Sequence, residues 1–163
     1  KNYIQDHGES LYRRSLYTYW KRAVPPPSMA ALDAPTRESC VVRRTSTDTP
    51  LQALVLWNDD QFVEASRVLA QRTLAEPAAT DADRVAHLFR RVTAREPDAA
   101  ETAALLSALT DLRASFAQDP TDAARLTSVG DSPPPPGADR VELAAWTMIA
   151  SAALNLHETI TQR

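Results

Sequence analysis

The spacing of apolar and polar positions along the 163-residue chain is mostly helical. Tyr12, Leu16, Tyr19, Trp20 and Ala23 fall at i, i+4, i+7, i+8 and i+11, one apolar stripe, which predicts a helix over residues 9–23. Lys21 and Arg22 stand at its end, where the helix macrodipole favours cations. Arg13 and Arg14 stand in its first turns, where it does not, with Glu9 four residues before Arg13 as a partial offset. Pro25, Pro26 and Pro27 end the stripe and impose an extended polyproline path. Residues 28–48 show no clear period; Cys40, Val41 and Val42 read as a short strand or simply an extended piece. The expected loop, residues 24–48, is long for a compact domain unless it is functional or pinned.

Local helix starts are sharper. Thr49-Pro50-Leu51-Gln52 predicts a capping box with proline at the first helical position. Leu51, Leu54, Val55, Phe62, Ala65 and Leu69 share a face, but Asn58 lands on it too, so Asn58-Asp59 is a candidate break before a second helix to about Ala75. Thr80 to Asp83 opens the next helix, with Val85, Leu88, Phe89 and Val92 inward. Asp98 and Glu101 box another that carries Leu105, Leu109, Leu112 and Phe116. Asp119-Pro120 starts a short helix expected to end at Gly130. Residues 131–137, with four prolines, read as a stiff exposed connector. Asp139 and Glu142 then box a last helix to about Thr161, apolar on nearly all sides from Leu143 to Leu154. Such a helix is usually the buried centre of a bundle, and about twelve residues are too few to span a bilayer. The expected fold is all-α: six or seven helices in one domain over residues 1–163, with one long ordered loop and a buried C-terminal helix.

Composition supports this. Three glycines in a chain that is 44% apolar argue against a turn-rich β sandwich. Residues 11–44 hold seven Lys and Arg against Asp33 and Glu38, a local +5 in a chain of net charge −3, so the remainder carries −8. That balance disfavours nucleic acid as a partner. A single cysteine forms no internal disulfide, which suits a reducing compartment or an exported protein without bridges. No signal peptide or membrane span is visible, and a chain opening on Lys1 is expected to be a piece of something longer.

The chemistry is sparse. His7, His87 and His157 lie far apart with no ligand-like spacing, and His87 is expected to be exposed. No catalytic motif is present, and without CxxCH the chain attaches no c-type haem itself. Cys40 sits among Arg37, Arg43 and Arg44, which would activate a thiol; the preferred reading is a small buried hydrophobe beside Val41 and Val42. The basic and aromatic cluster offers a ligand site for an anion or polysaccharide, with Tyr19 and Trp20 as stacking platforms and Arg37, Arg43 and Arg44 as forks. The competing, preferred reading is structural. Arginines paired with Asp33, Glu38, Asp48, Asp59 or Asp60 would pin the loop, and at least one of Arg37, Arg43 and Arg44 is then expected to be mostly buried in a two-pronged bond.

Two long stretches carry a resemblance: LYRRSLYTYWKRAVPPPSM and DAPTRESCVVRRTSTDTPLQALVLWNDDQFVEA. Together with FRRVTAREPDAAE, SVGDSP and the tail ELAAWTMIASAALNLHETIT, they resemble the planctomycete PSD domain, a domain of unknown function, over nearly the whole chain. The resemblance implies the C-terminal part of that domain, within a longer exported and extracytoplasmic protein. A c-type cytochrome domain, with its haem, would lie elsewhere in that parent. Other domains of the parent are the implied partners, and polysaccharide is a further candidate. No catalytic residue is carried over, because the family has no established activity. The sequence departs from the family pattern at Ala94, where glycine is usual, at Asp60, where proline is common, and at His157, where an acid is common. The expected role is a scaffold or interaction module; the alternative is a ligand-binding or enzymatic domain using the cluster around residues 12–44.

Overall fold

A computed structural model describes residues 3–21, 24–43 and 46–161. Eight α-helices follow in order: α1 (Pro27–Ala31), α2 (Pro50–Asn58), α3 (Asp60–Ala75), α4 (Asp81–Thr93), α5 (Ala99–Gln118), α6 (Pro120–Leu126), α7 (Arg140–Leu154) and α8 (His157–Ile160). Among the described residues there is no strand, only an isolated bridge between Lys21 and Val24. The all-α expectation holds.

The capping signals map onto real helix starts. Thr49 accepts from the Gln52 N–H and Gln52 returns a bond to the Thr49 N–H, with Pro50 leading α2. Thr80 with Asp83, and Asp98 with Glu101, do the same for α4 and α5. Asp59 ends α2 and caps α3, confirming the break after Asn58. At the start of α7 the box is only half formed. Asp139 accepts from the Val141 and Glu142 N–H groups, but the Glu142 carboxylate turns to Arg113 and Trp146 instead.

α7 is the centre, packed against α3, α5, α6 and α4. Leu143, Ala144, Ala145, Trp146, Thr147, Ile149, Ala150, Ser151 and Ala153 are all buried along it. Ala70, Val85, Leu88 and Leu109 complete the apolar core from α3, α4 and α5. Arginine clamps tie the helix ends. Arg113 of α5 donates to Asp81 of α4 and, at 2.7 Å, to Glu142 of α7. Arg95 bridges Glu101 and Glu158 and lies 4.7 Å over the Phe89 ring. Ala94 closes α4 in the left-handed region at φ 61°, which explains why glycine is the easier residue there.

Several boundaries differ from expectation. The predicted helix over residues 9–23 is two short 3-10 turns, Gly8–Tyr12 and Ser15–Tyr17, with Arg13 extended between them. Residues 22 and 23 lie outside the described set. An apolar stripe stabilises a helix only when something covers it, and Tyr12, Leu16, Tyr17 and Tyr19 are all exposed. The loop over residues 24–48 contains α1, which begins at Pro27. Residues 40–42 form no strand. α6 stops at Leu126 rather than Gly130. α7 stops at Leu154, and α8 is a separate turn, so the last helix does not run unbroken to Thr161. No helix among the described residues is long and apolar enough to cross a membrane.

Candidate functional site

The basic and aromatic residues near the N-terminus lie on the surface. Two of the five predicted site residues meet: the Arg37 guanidinium lies 4.7 Å from the Trp20 ring centroid, and its Nη2 donates to the Ser15 carbonyl at 2.6 Å. Arg37 adopts φ 62°, an uncommon conformation for a long side chain. Arg43 is exposed, and Arg44 lies outside the described residues. Tyr19, 79% exposed, instead borders a cleft of about 190 Å³ with Tyr3, Ile4, Asp6, Thr18, Lys21 and Val24. Cys40 is exposed, so its reading as a buried hydrophobe is wrong; Val41 and Val42 beside it are exposed too, leaving nothing to bury it.

The expected buried arginine in this loop is also absent from the described positions: Arg37 and Arg43 are both exposed. The loop is held by an acid and an amide. Asp33, at φ 59°, accepts from the Thr47 N–H and hydroxyl, both at 2.7 Å, and from the Gln52 side chain at 3.1 Å. These bonds, the Thr47 hydroxyl first, hold the Asp33 carboxyl below its ordinary pKa. Gln52 is buried and serves α2 and the loop together.

The buried arginine is Arg67 of α3, fully enclosed, which donates to the Ser132 carbonyl. One turn before it, buried Glu64 accepts the Asp131 and Ser132 N–H groups, each at 2.9 Å. Residues 131–132 are therefore anchored to α3 through their backbone, while the connector over residues 131–137 is exposed as expected, Pro134 alone being half-buried. Burial pushes the Tyr12 hydroxyl up to about 12, with the Glu64 charge adding to it. Asp131 in turn accepts from the Gly8 N–H at 2.9 Å and pairs with His7. His157 pairs with Asp48, and His87, half-buried rather than exposed, lies 3.7 Å from Glu76. No local motif announces the Glu64–Arg67 anchor. Its one sequence trace is a charged pair at i, i+3 in a helix whose remaining inward positions are small or apolar.

The most uneven feature is surface apolarity. Among the described residues, Ile4, Tyr12, Leu16, Tyr17, Tyr19, Val41, Val42, Leu51, Leu54 and Trp57 are the exposed large hydrophobics, and all precede α3. On α2, Leu51, Leu54 and Trp57 form an outward stripe on a helix that carries no charge, so Leu51 and Leu54 do not share the inward face expected of them. The body from α3 onward hides its large apolar side chains; the N-terminal third displays them.

No curated protein and no solved structure matches the chain. A family described as a protein of unknown function does match, over residues 1–109, a span that holds the whole exposed apolar surface and ends within α5. The tail that carries α7 and α8 lies beyond it, so the match covers less of the chain than the resemblance did. The chain belongs to the PSD1 family of proteins of unknown function (DUF1553).

Proposed function

We propose that this chain is a non-catalytic helical interaction module of an exported, multidomain bacterial protein, and that its N-terminal third docks against an acidic protein surface on another domain of that parent. The observation that carries this reading is the confinement of exposed large hydrophobics to residues 4–57. Exposed apolar side chains gathered in one part of a chain point to an interaction surface there. The exposed cations Arg13, Arg14, Arg37 and Arg43 alternate with Tyr12, Leu16, Tyr17, Val41 and Val42 in the same segment. Apolar contact supplies affinity, and the cations select a partner rich in carboxylates. Haem chemistry, where the parent has it, belongs to a domain outside this chain.

The test is titration calorimetry of this chain against each separately expressed domain of the parent. One domain is expected to bind, and the double charge reversal Arg37→Glu with Arg43→Glu is expected to weaken it by about tenfold or more, with affinity falling as salt rises. Binding indifferent to both the reversal and the salt, or no binding by any domain, overturns the proposal.

A second reading is an anionic-ligand or acidic-glycan site at Tyr19, Trp20, Arg37, Arg43 and Arg44. It is favoured by the Arg37–Trp20 stack, since a guanidinium laid on an indole keeps edge donors for a planar carboxylate or sulfate. Binding of a uronic-acid oligosaccharide that Arg37→Met abolishes, with no parent domain bound, would favour it over docking.

A further inference from the structure

We propose that the cleft between residues 3–6 and the residues Thr18, Tyr19, Lys21 and Val24 binds one neutral pyranose ring, with Tyr19 as its stacking platform and Asp6, Thr18 and Lys21 as its hydrogen-bonding rim. This goes beyond both functional readings, sharing only Tyr19 with the second. The two walls come from distant parts of the segment. Tyr3, Ile4 and Asp6 form one; Thr18, Tyr19, Lys21 and Val24 form the other. The second wall is shaped by the bridge between Lys21 and Val24, in which the Val24 N–H donates to the Lys21 carbonyl at 2.9 Å.

The volume of about 190 Å³ is below the usual range for drug-sized ligands, so the space suits a single six-membered ring. The lining is mixed in the way a sugar requires. One face of a pyranose presents C–H groups with slight positive charge, which match the negative face of a tyrosine ring. Its edge presents hydroxyls, each both donor and acceptor. A carboxylate, an ammonium and a hydroxyl meet that edge with the right complement, and bonds to charged partners are the stronger kind. Tyr3 and Asp6 lie close enough that burial first, and then the Asp6 charge, raise the Tyr3 hydroxyl pKa. A small zwitterion has no C–H ring face to lay on Tyr19, so it fits less well. Tyr19 is open on its outer side, so the ring can belong to a longer chain that continues into solvent.

The experiment is saturation-transfer NMR of the full chain with the methyl glycosides of glucose, galactose and mannose, and with glycine and glucuronate as comparisons. At least one neutral glycoside is expected to receive saturation at its ring C–H protons. Tyr19→Ala is expected to abolish it, and Asp6→Asn to weaken binding by about tenfold, the usual value of one charge-assisted bond. Circular dichroism checks that both variants keep the native helix content. Arg43→Met should change nothing, which separates this cleft from the acidic-glycan reading. Transfer to none of the three glycosides, transfer that survives Tyr19→Ala, or binding confined to glycine or glucuronate each overturns the proposal.

Discussion

Glu64 and Arg67 show how much one buried pair can organise. Glu64 satisfies two consecutive N–H groups at residues 131–132, and Arg67 caps the following carbonyl. Gly130, at φ 91°, lies so close that a Cβ there would land on the Glu64 side chain. Glu64→Ala strands a buried cation and two donors, so a loss of about 3–5 kcal/mol is expected in urea denaturation. Gly130→Ala combines that collision with a left-handed backbone, and about 1–3 kcal/mol is expected from the backbone alone. Asp33 gives a pH signature. Its carboxyl pKa is lowered in the folded chain, so folding favours the ionised form. That stabilisation is complete above about pH 4 and is lost as pH falls through the lowered value. Asp81 beside Arg113 and Asp131 beside Gly8 shift the same way. Stability measured from pH 5 down to pH 2 should therefore fall less steeply in Asp33→Asn than in the parent chain; equal slopes would remove Asp33 from the account.

At the scale of elements, α2 and α7 are both apolar helices with opposite fates. α7 is surrounded by four other helices, and Trp146 within it is fully buried with its indole N–H bonded to Glu142 at 2.9 Å. Trp146→Ala is expected to cost about 3–5 kcal/mol. With Trp20 and Trp57 replaced, the remaining fluorescence should resist iodide; full quenching in the native state would contradict this burial. α2 buries only Gln52 and leaves Leu51 and Leu54 more than half exposed, at 59% and 58%. Leu54→Gln should therefore shift stability by under about 0.5 kcal/mol, whereas Thr49→Ala, which removes the cap, should cost about 1 kcal/mol. A melting curve in which Leu54→Gln is the more damaging of the two would reverse this assignment. Capping boxes are legible in sequence because both partners lie within four residues and the bond depends on local backbone alone. The stripe over residues 9–23 misled because its period has no meaning until another element covers it.

Over the whole molecule, the arginines divide into two populations. Arg67, through the Ser132 carbonyl, and Arg95 and Arg113, through Glu158, Asp81 and Glu142, hold the helical body together across long stretches of sequence. Arg37 and Arg43 lie exposed on the apolar, basic third, where Arg37 makes a solvent-facing bond to the Ser15 carbonyl and a stack on Trp20. Arg113→Met is expected to cost about 1–3 kcal/mol, while Arg37→Met and Arg43→Met should each cost under about 1 kcal/mol. Chemical denaturation of the three variants side by side checks the division; a large loss in Arg43→Met would restore the idea that loop arginines pin the fold. A stable body joined to a displayed surface is the arrangement expected of a module that works by contact.

The sequence by itself determined the helical class, the capping boxes at Thr49 and Asp98, the helix start at Thr80, the break at Asn58-Asp59 and the central place of the 143–154 run. Each rests on short-range backbone chemistry, or on a helix with no polar face to offer water. Only the tertiary structure decided which apolar stripes are covered. α4, α5 and α7 found partners; residues 12–19 and the outer face of α2 did not. It also decided which charges are buried, choosing Glu64 and Arg67 over the loop arginines, since burial depends on what arrives from 65 residues away. The cleft at Tyr3 and Tyr19 was invisible for the same reason, because its walls share no motif and meet only when the chain turns back on itself.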